Sequence, residues 1–147
     1  MATFVDTNVL ISLLNPDEAF HEWAQNAMKK ARDNGAIIAC DIVYAELSVN
    51  LADEAETDET IARMAIVRLP FSNAVLYRAG QAYKEHRRRG GSRNNVLSDF
   101  LIGAQAEVEG APLLTNNERD YRSYFDRIRC IAPEKKTADS KADTGSA

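Results

Sequence analysis

The sequence predicts an α/β domain, a short parallel sheet covered by helices on both faces. Short apolar runs at residues 3–5, 36–40, 113–114 and 128–131 lack polar alternation, as strands buried on both faces do. Between them lie stretches whose apolar residues recur at helical spacing. Strand and helix alternate along the chain, the order that builds parallel sheets through right-handed crossovers. At 147 residues the chain has room for one domain with a core of useful size.

Each element has a local reason. Thr3-Phe4-Val5 is β-prone and ends in Asp6, and Thr7 or Asn8 can cap the helix over 9–14. Asn15-Pro16-Asp17 breaks that helix and starts another, with Phe20, Trp23, Ala24, Ala27, Met28 and Ala31 in helical register and Asn34-Gly35 as its stop. After the strand at 36–40, Val43, Ala45, Leu47 and Leu51 predict a helix that carries Glu46. Residues 53–59 hold five acids and read as a loop or exposed turn. A helix is expected over 61–69, ended by Pro70, then a longer one over 73–89, a turn at Gly90-Gly91-Ser92, and a helix over 96–109 rich in small residues. Leu113-Leu114 and 128–131 give the last strands. The domain is expected to span 1–132, leaving 133–147, which has no bulky apolar residue, as a disordered tail.

Composition narrows the classes. Hydrophobic residues make up 45% and charged residues 27%, as in soluble globular proteins. No apolar run approaches the roughly 18 residues of a membrane span, and Asp6 interrupts any signal-peptide core. Cys40 and Cys130 end apolar runs and read as buried free thiols, which points to a reducing, cytoplasmic setting. A net charge of −4 argues against a histone-like mass of positive charge, but placement matters more than the sum. Lys84, Arg87, Arg88, Arg89 and Arg93 crowd one segment against Glu85, as a phosphate-facing patch or a solvated helix end would.

Ligands of open α/β sheets bind at the carboxyl ends of the strands. Asp6 lies there, and so do Thr115, Asn116 and Asn117 after the 113–114 strand. Glu46 and Asp99 are isolated acids in apolar helical stretches, costly to bury unless a cation compensates them or they face a cleft. Converging carboxylates repel one another unless a hard divalent cation stands between them. Such a centre cuts phosphodiesters with a metal-activated water and needs no covalent protein nucleophile. Other chemistries lack support. His21 and His86 have no ligand spacing, Gly90-Gly91 is not a phosphate loop, and no serine sits in a nucleophile elbow.

Four motifs in order, Phe4-Val5-Asp6-Thr7-Asn8-Val9-Leu10, Ala45-Glu46-Leu47, Ser98-Asp99-Phe100-Leu101-Ile102-Gly103-Ala104-Gln105-Ala106 and Leu114-Thr115-Asn116-Asn117, resemble the PIN domain, and more closely the VapC-type toxins of bacterial toxin–antitoxin pairs. The resemblance implies a three-layer α/β/α fold with four or five parallel strands. It implies an Mg²⁺- or Mn²⁺-dependent endoribonuclease whose metal acids are Asp6, Glu46 and Asp99. It makes Asn8 the residue that orients the first acid and Thr115 a hydroxyl beside the site. The family's fourth acid falls on Asn117, with Asp120 as a nearby substitute. It also implies a homodimer held inactive by a VapB-type antitoxin, whose arginine would enter the acidic pocket while another part lies on apolar surface near Phe20 and Trp23. Arg87, Arg88, Arg89 and Arg93 are then expected to contact RNA phosphates, because an acidic centre repels a polyanion. The alternative is a PIN-like protein that binds RNA or a partner with little or no cleavage. An aspartyl-phosphate phosphatase is disfavoured, since its second acid would fall on Asn8.

Overall fold

A computed structural model gives the architecture and describes residues 1–91 and 96–134. In chain order the elements are β1 (Thr3–Val5), α1 (Thr7–Leu14), α2 (His21–Asn34), β2 (Ile37–Ala39), α3 (Asp41–Ser48), α4 (Glu54–Arg63), β3 (Ile66–Arg68), α5 (Asn73–Arg88), α6 (Leu97–Glu109), β4 (Leu113–Leu114), α7 (Arg119–Arg122) and β5 (Cys130–Ile131). The sheet has five strands in the order β3-β2-β1-β4-β5, and every pairing is parallel, as expected from the sequence.

That order contains a reversal. From β1 the chain steps outward through β2 to β3, then crosses back to β4 and on to β5. Right-handed crossovers in the two directions put α1–α4 and α5–α7 on opposite faces. A cleft opens between β1 and β4, at the carboxyl ends where the two directions part. Val5 pairs with Leu114, so Asp6 and Thr115 leave the sheet side by side.

The main core gathers Phe4, Val5, Val9, Leu10, Met28, Ile37, Val43, Leu47, Leu113, Leu114 and Tyr121 around the central strands. A second cluster, with Val75, Ala79, Ala82, Phe100, Ala104 and Phe125, joins α5 to α6. The buried faces of α5 and α6 are rich in alanine, which lets the helices pack closely. Gly110 closes α6 with a left-handed φ of 66°, a conformation that glycine adopts without strain.

Several expectations need correction. The cap of α1 is Asp6 itself, accepting from Thr7 N–H at 2.8 Å, rather than Thr7 or Asn8. The acidic stretch is the start of a helix, not a loop. Asp53 accepts from Glu56 N–H at 2.8 Å, Glu56 reaches back to Ala52 N–H at 2.6 Å, and the acids meet the positive end of the helix dipole. The helix foreseen over 61–69 ends at Arg63. Ala65 takes a φ of 54°, and Ile66 and Val67 then form the edge strand β3. The short α7 was not foreseen. Cys40 is buried and burial pushes its thiol up to about 11, but Cys130 is only half-buried; both are free. No helix among the described residues is long and apolar enough to cross a membrane. The tail reading falls mainly on 135–147, outside the described residues.

Candidate active site

Asp6 is the centre of the site. Its backbone stays in the sheet, N–H to Leu114 O at 2.9 Å, while its side chain is held between the start of α1 and the residue after β4. Only 4% of it is exposed. Oδ1 accepts from Thr7 N–H and Oδ2 from Thr115 Oγ1–H, each at 2.8 Å. Burial raises the carboxyl's proton affinity; donors at Thr115, Tyr121 and Thr7 oppose the rise, and the Glu46 charge adds to it. A buried acid so placed is stabilised in its ionised form by any cation that enters.

Thr7 links the first acid to the second. Its N–H serves Asp6 and its Oγ1 donates to Glu46 Oε1 at 2.8 Å, which fixes the half-buried Glu46 of α3 beside the cleft. On the other side Thr115 Oγ1 accepts from Asn117 N–H at 3.0 Å, and Asn117 Nδ2 donates to Asp120 Oδ2 at 2.5 Å. A chain of polar contacts thus runs from Glu46 through Thr7, Asp6, Thr115 and Asn117 to Asp120. The two residues considered for the fourth position are in contact: Asn117 is exposed, and Asp120 is half-buried behind it.

Asp99 sits in the first turn of α6, half-buried, and lines a cavity of about 190 Å³ with His86, Arg119, Asp120, Ser123 and Tyr124. The charges of Asp6, Asp99 and Asp120 all raise the proton affinity of the buried Tyr121 hydroxyl. Even so, no three His, Cys, Asp or Glu side chains among the described residues are gathered tightly enough to grip a metal directly. The donor set still suits a hard cation. It offers carboxylate and hydroxyl oxygens without thiolate or imidazole, around a buried acid that lacks a cationic partner among the described hydrogen bonds and ion pairs. Mg²⁺ in particular takes few protein ligands and keeps its waters.

Among the described hydrogen bonds, Asn8 has none to the Asp6 side chain. Its Oδ1 meets Asn116 N–H at 3.5 Å and so ties α1 to the loop after β4. Two of the arginines at the end of α5 are engaged. Arg88 and Arg89 both pair with Glu85, at 2.6 and 3.0 Å, and hold its carboxyl down at about 2. Arg89 also donates to Ser123 O at 3.2 Å and lies 4.7 Å over the Tyr124 ring, next to the cavity that Asp99 lines. Arg87 is exposed and makes no ion pair among the described residues. Arg93 falls outside the described residues.

The sequence reading missed two members of the site, Thr7 and Tyr121. Thr7 stood in the first motif as a helix cap, and its hydroxyl gave no hint of Glu46, 39 residues away. Tyr121 follows Asp120 in a segment without clear periodicity.

The PIN-domain family model matches residues 3–128. The chain belongs to the PIN-domain family. The matched span covers the sheet from β1 to the approach of β5 and includes Asp6, Glu46, Asp99 and Thr115. No curated protein is matched at a significant level. Solved PIN-like folds are matched. A chain of the VapBC2 complex of Rickettsia felis, bound to a DNA fragment from its promoter, is 21% identical, with a TM-score of 0.69 over 90% of this chain and 98% of that one. VapBC-1 of nontypeable Haemophilus influenzae gives 17% identity and a TM-score of 0.69 over 90% and 98%. VapC20 of Mycobacterium tuberculosis, a Sarcin-Ricin loop cleaving toxin, gives 18% and 0.58 over 86% and 98%. At these identities the likeness is one of fold.

Proposed function

We propose that this PIN-domain protein is a VapC-type endoribonuclease toxin, dependent on Mg²⁺ or Mn²⁺ and restrained by a VapB-type antitoxin. The observation that carries the reading is the buried Asp6 at the β1–β4 cleft, joined to Glu46 through Thr7 and to the Asn117–Asp120 pair through Thr115. Asp6, Glu46 and Asp99 would hold the cation, with Asn117 and Asp120 at the fourth position. When bound, the cation supplies an activated water and neutralises charge on the scissile phosphate. Thr7 and Thr115 hold Asp6 at a fixed angle, so that no donor has to be rearranged as the cation enters.

An acidic centre repels RNA, and the arginines at the end of α5 offset that repulsion beside the cavity at Asp99. The same acids suit an arginine from the antitoxin, which can pair with carboxylates through two parallel hydrogen bonds. Phe20, 39% exposed and edge-on to the half-buried Trp23 at 6.4 Å, offers apolar surface to another part of that partner. A homodimer and a cytoplasmic setting complete the proposal; the two free cysteines fit a reducing compartment.

The experiment is cleavage of structured RNA by the purified chain with Mn²⁺ or Mg²⁺ and with EDTA. Cation-dependent products that EDTA abolishes support the reading. The second reading, RNA binding without cleavage, is favoured by one feature, the neutral Asn117 in place of an acid. It predicts binding that EDTA leaves intact and no products under any condition.

A further inference from the structure

The cavity of about 190 Å³ beside Asp99 is lined by two unlike sets of side chains. One is polar: Asp99, Asp120, Arg119 and Ser123. The other is aromatic: His86 of α5, Phe100 of α6 and Tyr124 just after α7. The three rings pack edge to face, their centroids 5.8 Å (His86–Phe100), 5.9 Å (His86–Tyr124) and 4.9 Å (Phe100–Tyr124) apart. Phe100 is buried and braces the other two, which are half-buried. A hard cation takes oxygen ligands and uses only the polar set. The rings have no part in holding it.

The aromatic set is fixed by its neighbours. A hydrogen bond of 3.0 Å joins His86 Nδ1 to Tyr124 Oη. Arg78 donates to Tyr124 O at 2.7 Å, and Arg89 lies 4.7 Å over the Tyr124 ring. Gly91 leaves room for the His86 ring, since a Cβ there would stand 2.2 Å from it. Rings fixed before a ligand arrives lose little freedom when it binds. In the polar set, Arg119 is exposed and makes no ion pair among the described residues, although two carboxylates share its cavity.

A nucleobase is a ligand that uses both sets. Sequence-specific RNA recognition takes unpaired bases, stacks them on aromatic side chains and reads their edges by hydrogen bonds. We infer that the cavity is a base pocket: a base next to the scissile phosphate leaves its stack and lies against Tyr124 and His86, while the Arg119 guanidinium reads its edge. Arg119 favours guanine, whose O6 and N7 accept two N–H bonds from one guanidinium. The inference rests on the ribonuclease reading above and adds to it a source of sequence preference, in the same cavity as the candidate metal acids Asp99 and Asp120.

The test begins with total bacterial RNA, cut by the wild-type chain in Mn²⁺ and mapped by end sequencing. The hairpin cut best is then synthesised with each of the four bases in turn at the nucleotide on either side of the cut. At one of these positions guanine should exceed the other bases in kcat/KM by about 10-fold or more. Arg119→Met should lower the guanine substrate to the level of the other three. Tyr124→Leu should lower all four about 10-fold, because stacking is tolerant of sequence. Circular dichroism checks both folds; if Tyr124→Leu does not fold, Arg119→Met decides alone, its side chain being exposed. A wild type indifferent to the base on either side, or one that prefers another base, would overturn the inference and leave the ribonuclease reading standing. So would an equal loss on all four bases in Arg119→Met, which is the mark of a phosphate contact, or a folded Tyr124→Leu protein that cuts like wild type. A wild type that cuts no RNA in Mn²⁺ would overturn the ribonuclease reading and this inference with it.

Discussion

Thr115→Val removes one oxygen and changes little else. Thr115 is fully buried, and its hydroxyl joins Asp6 Oδ2 at 2.8 Å to Asn117 N–H at 3.0 Å. A hydrogen bond to an ionised group contributes about 1.5–3 kcal/mol, and a neutral one about 0.5–1.5. Asn117 is exposed, so water can satisfy its N–H. The added methyl returns about 0.8 kcal/mol. The net loss at neutral pH is about 1–3 kcal/mol, or roughly 3–10 °C in Tm for a domain of this size. The loss should depend on pH. Thr115 favours the charged form of Asp6, so removing it raises the carboxyl's proton affinity further. The wild-type advantage should therefore grow as pH rises through the Asp6 titration and shrink in acid. The assay is urea unfolding at pH 4 and pH 7, with Thr115→Ser as the control that keeps the hydroxyl. If the two variants agree within about 0.5 kcal/mol at both pH values, the hydroxyl bond to Asp6 contributes nothing and the reasoning fails.

Gly103→Ala sets a helix gain of about 1 kcal/mol against overpacking of about 1–3 kcal/mol, because the added Cβ meets the enclosed Phe125 ring at 2.8 Å; differential scanning calorimetry should show a lower Tm, and a rise would contradict the geometry. Metal-free wild type should lose stability relative to Asp6→Asn as pH rises above the ordinary carboxylate range. The folded-state pKa of Asp6 is raised, so its contribution is complete below the unfolded pKa and lost through the folded one; parallel pH–stability curves would exclude this. Mn²⁺ at 100 times its Kd should stabilise wild type by about 2.7 kcal/mol and Asp6→Asn hardly at all, measured as thermal shifts with and without EDTA. Glu85→Gln should release Arg88 and Arg89 for phosphate and tighten RNA binding at low salt, whereas replacing both arginines should flatten the salt dependence. Filter-binding titrations across salt would show identical slopes if these side chains never meet RNA.

The sequence made β1, β2 and β4 legible because strands buried between helices leave short, nearly continuous apolar runs. The edge that carries the candidate site was legible for a related reason: Asp6 and Thr115 each follow such a run directly, and the register of β1 on β4 sets them side by side. The acids of 53–59 misled because a charged run looks alike in a loop and in a first helical turn. Only the reciprocal bonds of Asp53 and Glu56 distinguish them. Ile66 and Val67 fit a helix by spacing, and it is the positive φ of Ala65 that releases them into β3. Long-range polar links left no local trace. The Thr7–Glu46 bond spans 39 residues and the Thr115–Asp6 bond 109, and Tyr121 reads as one more aromatic until the acids are seen to raise the proton affinity of its buried hydroxyl.

The central claim is that the acids at this sheet edge hold the cation that cuts RNA. Its most direct test is cleavage of end-labelled RNA in Mn²⁺ by wild type and Asp99→Asn side by side, with folding of both checked by circular dichroism. Asp99 is half-buried on the cavity and asparagine keeps its shape, so the variant should fold normally. The account predicts a loss of cleavage of about 100-fold or more, equivalent to roughly 2.7 kcal/mol in the barrier. Cleavage by a folded Asp99→Asn protein at the wild-type rate would contradict it.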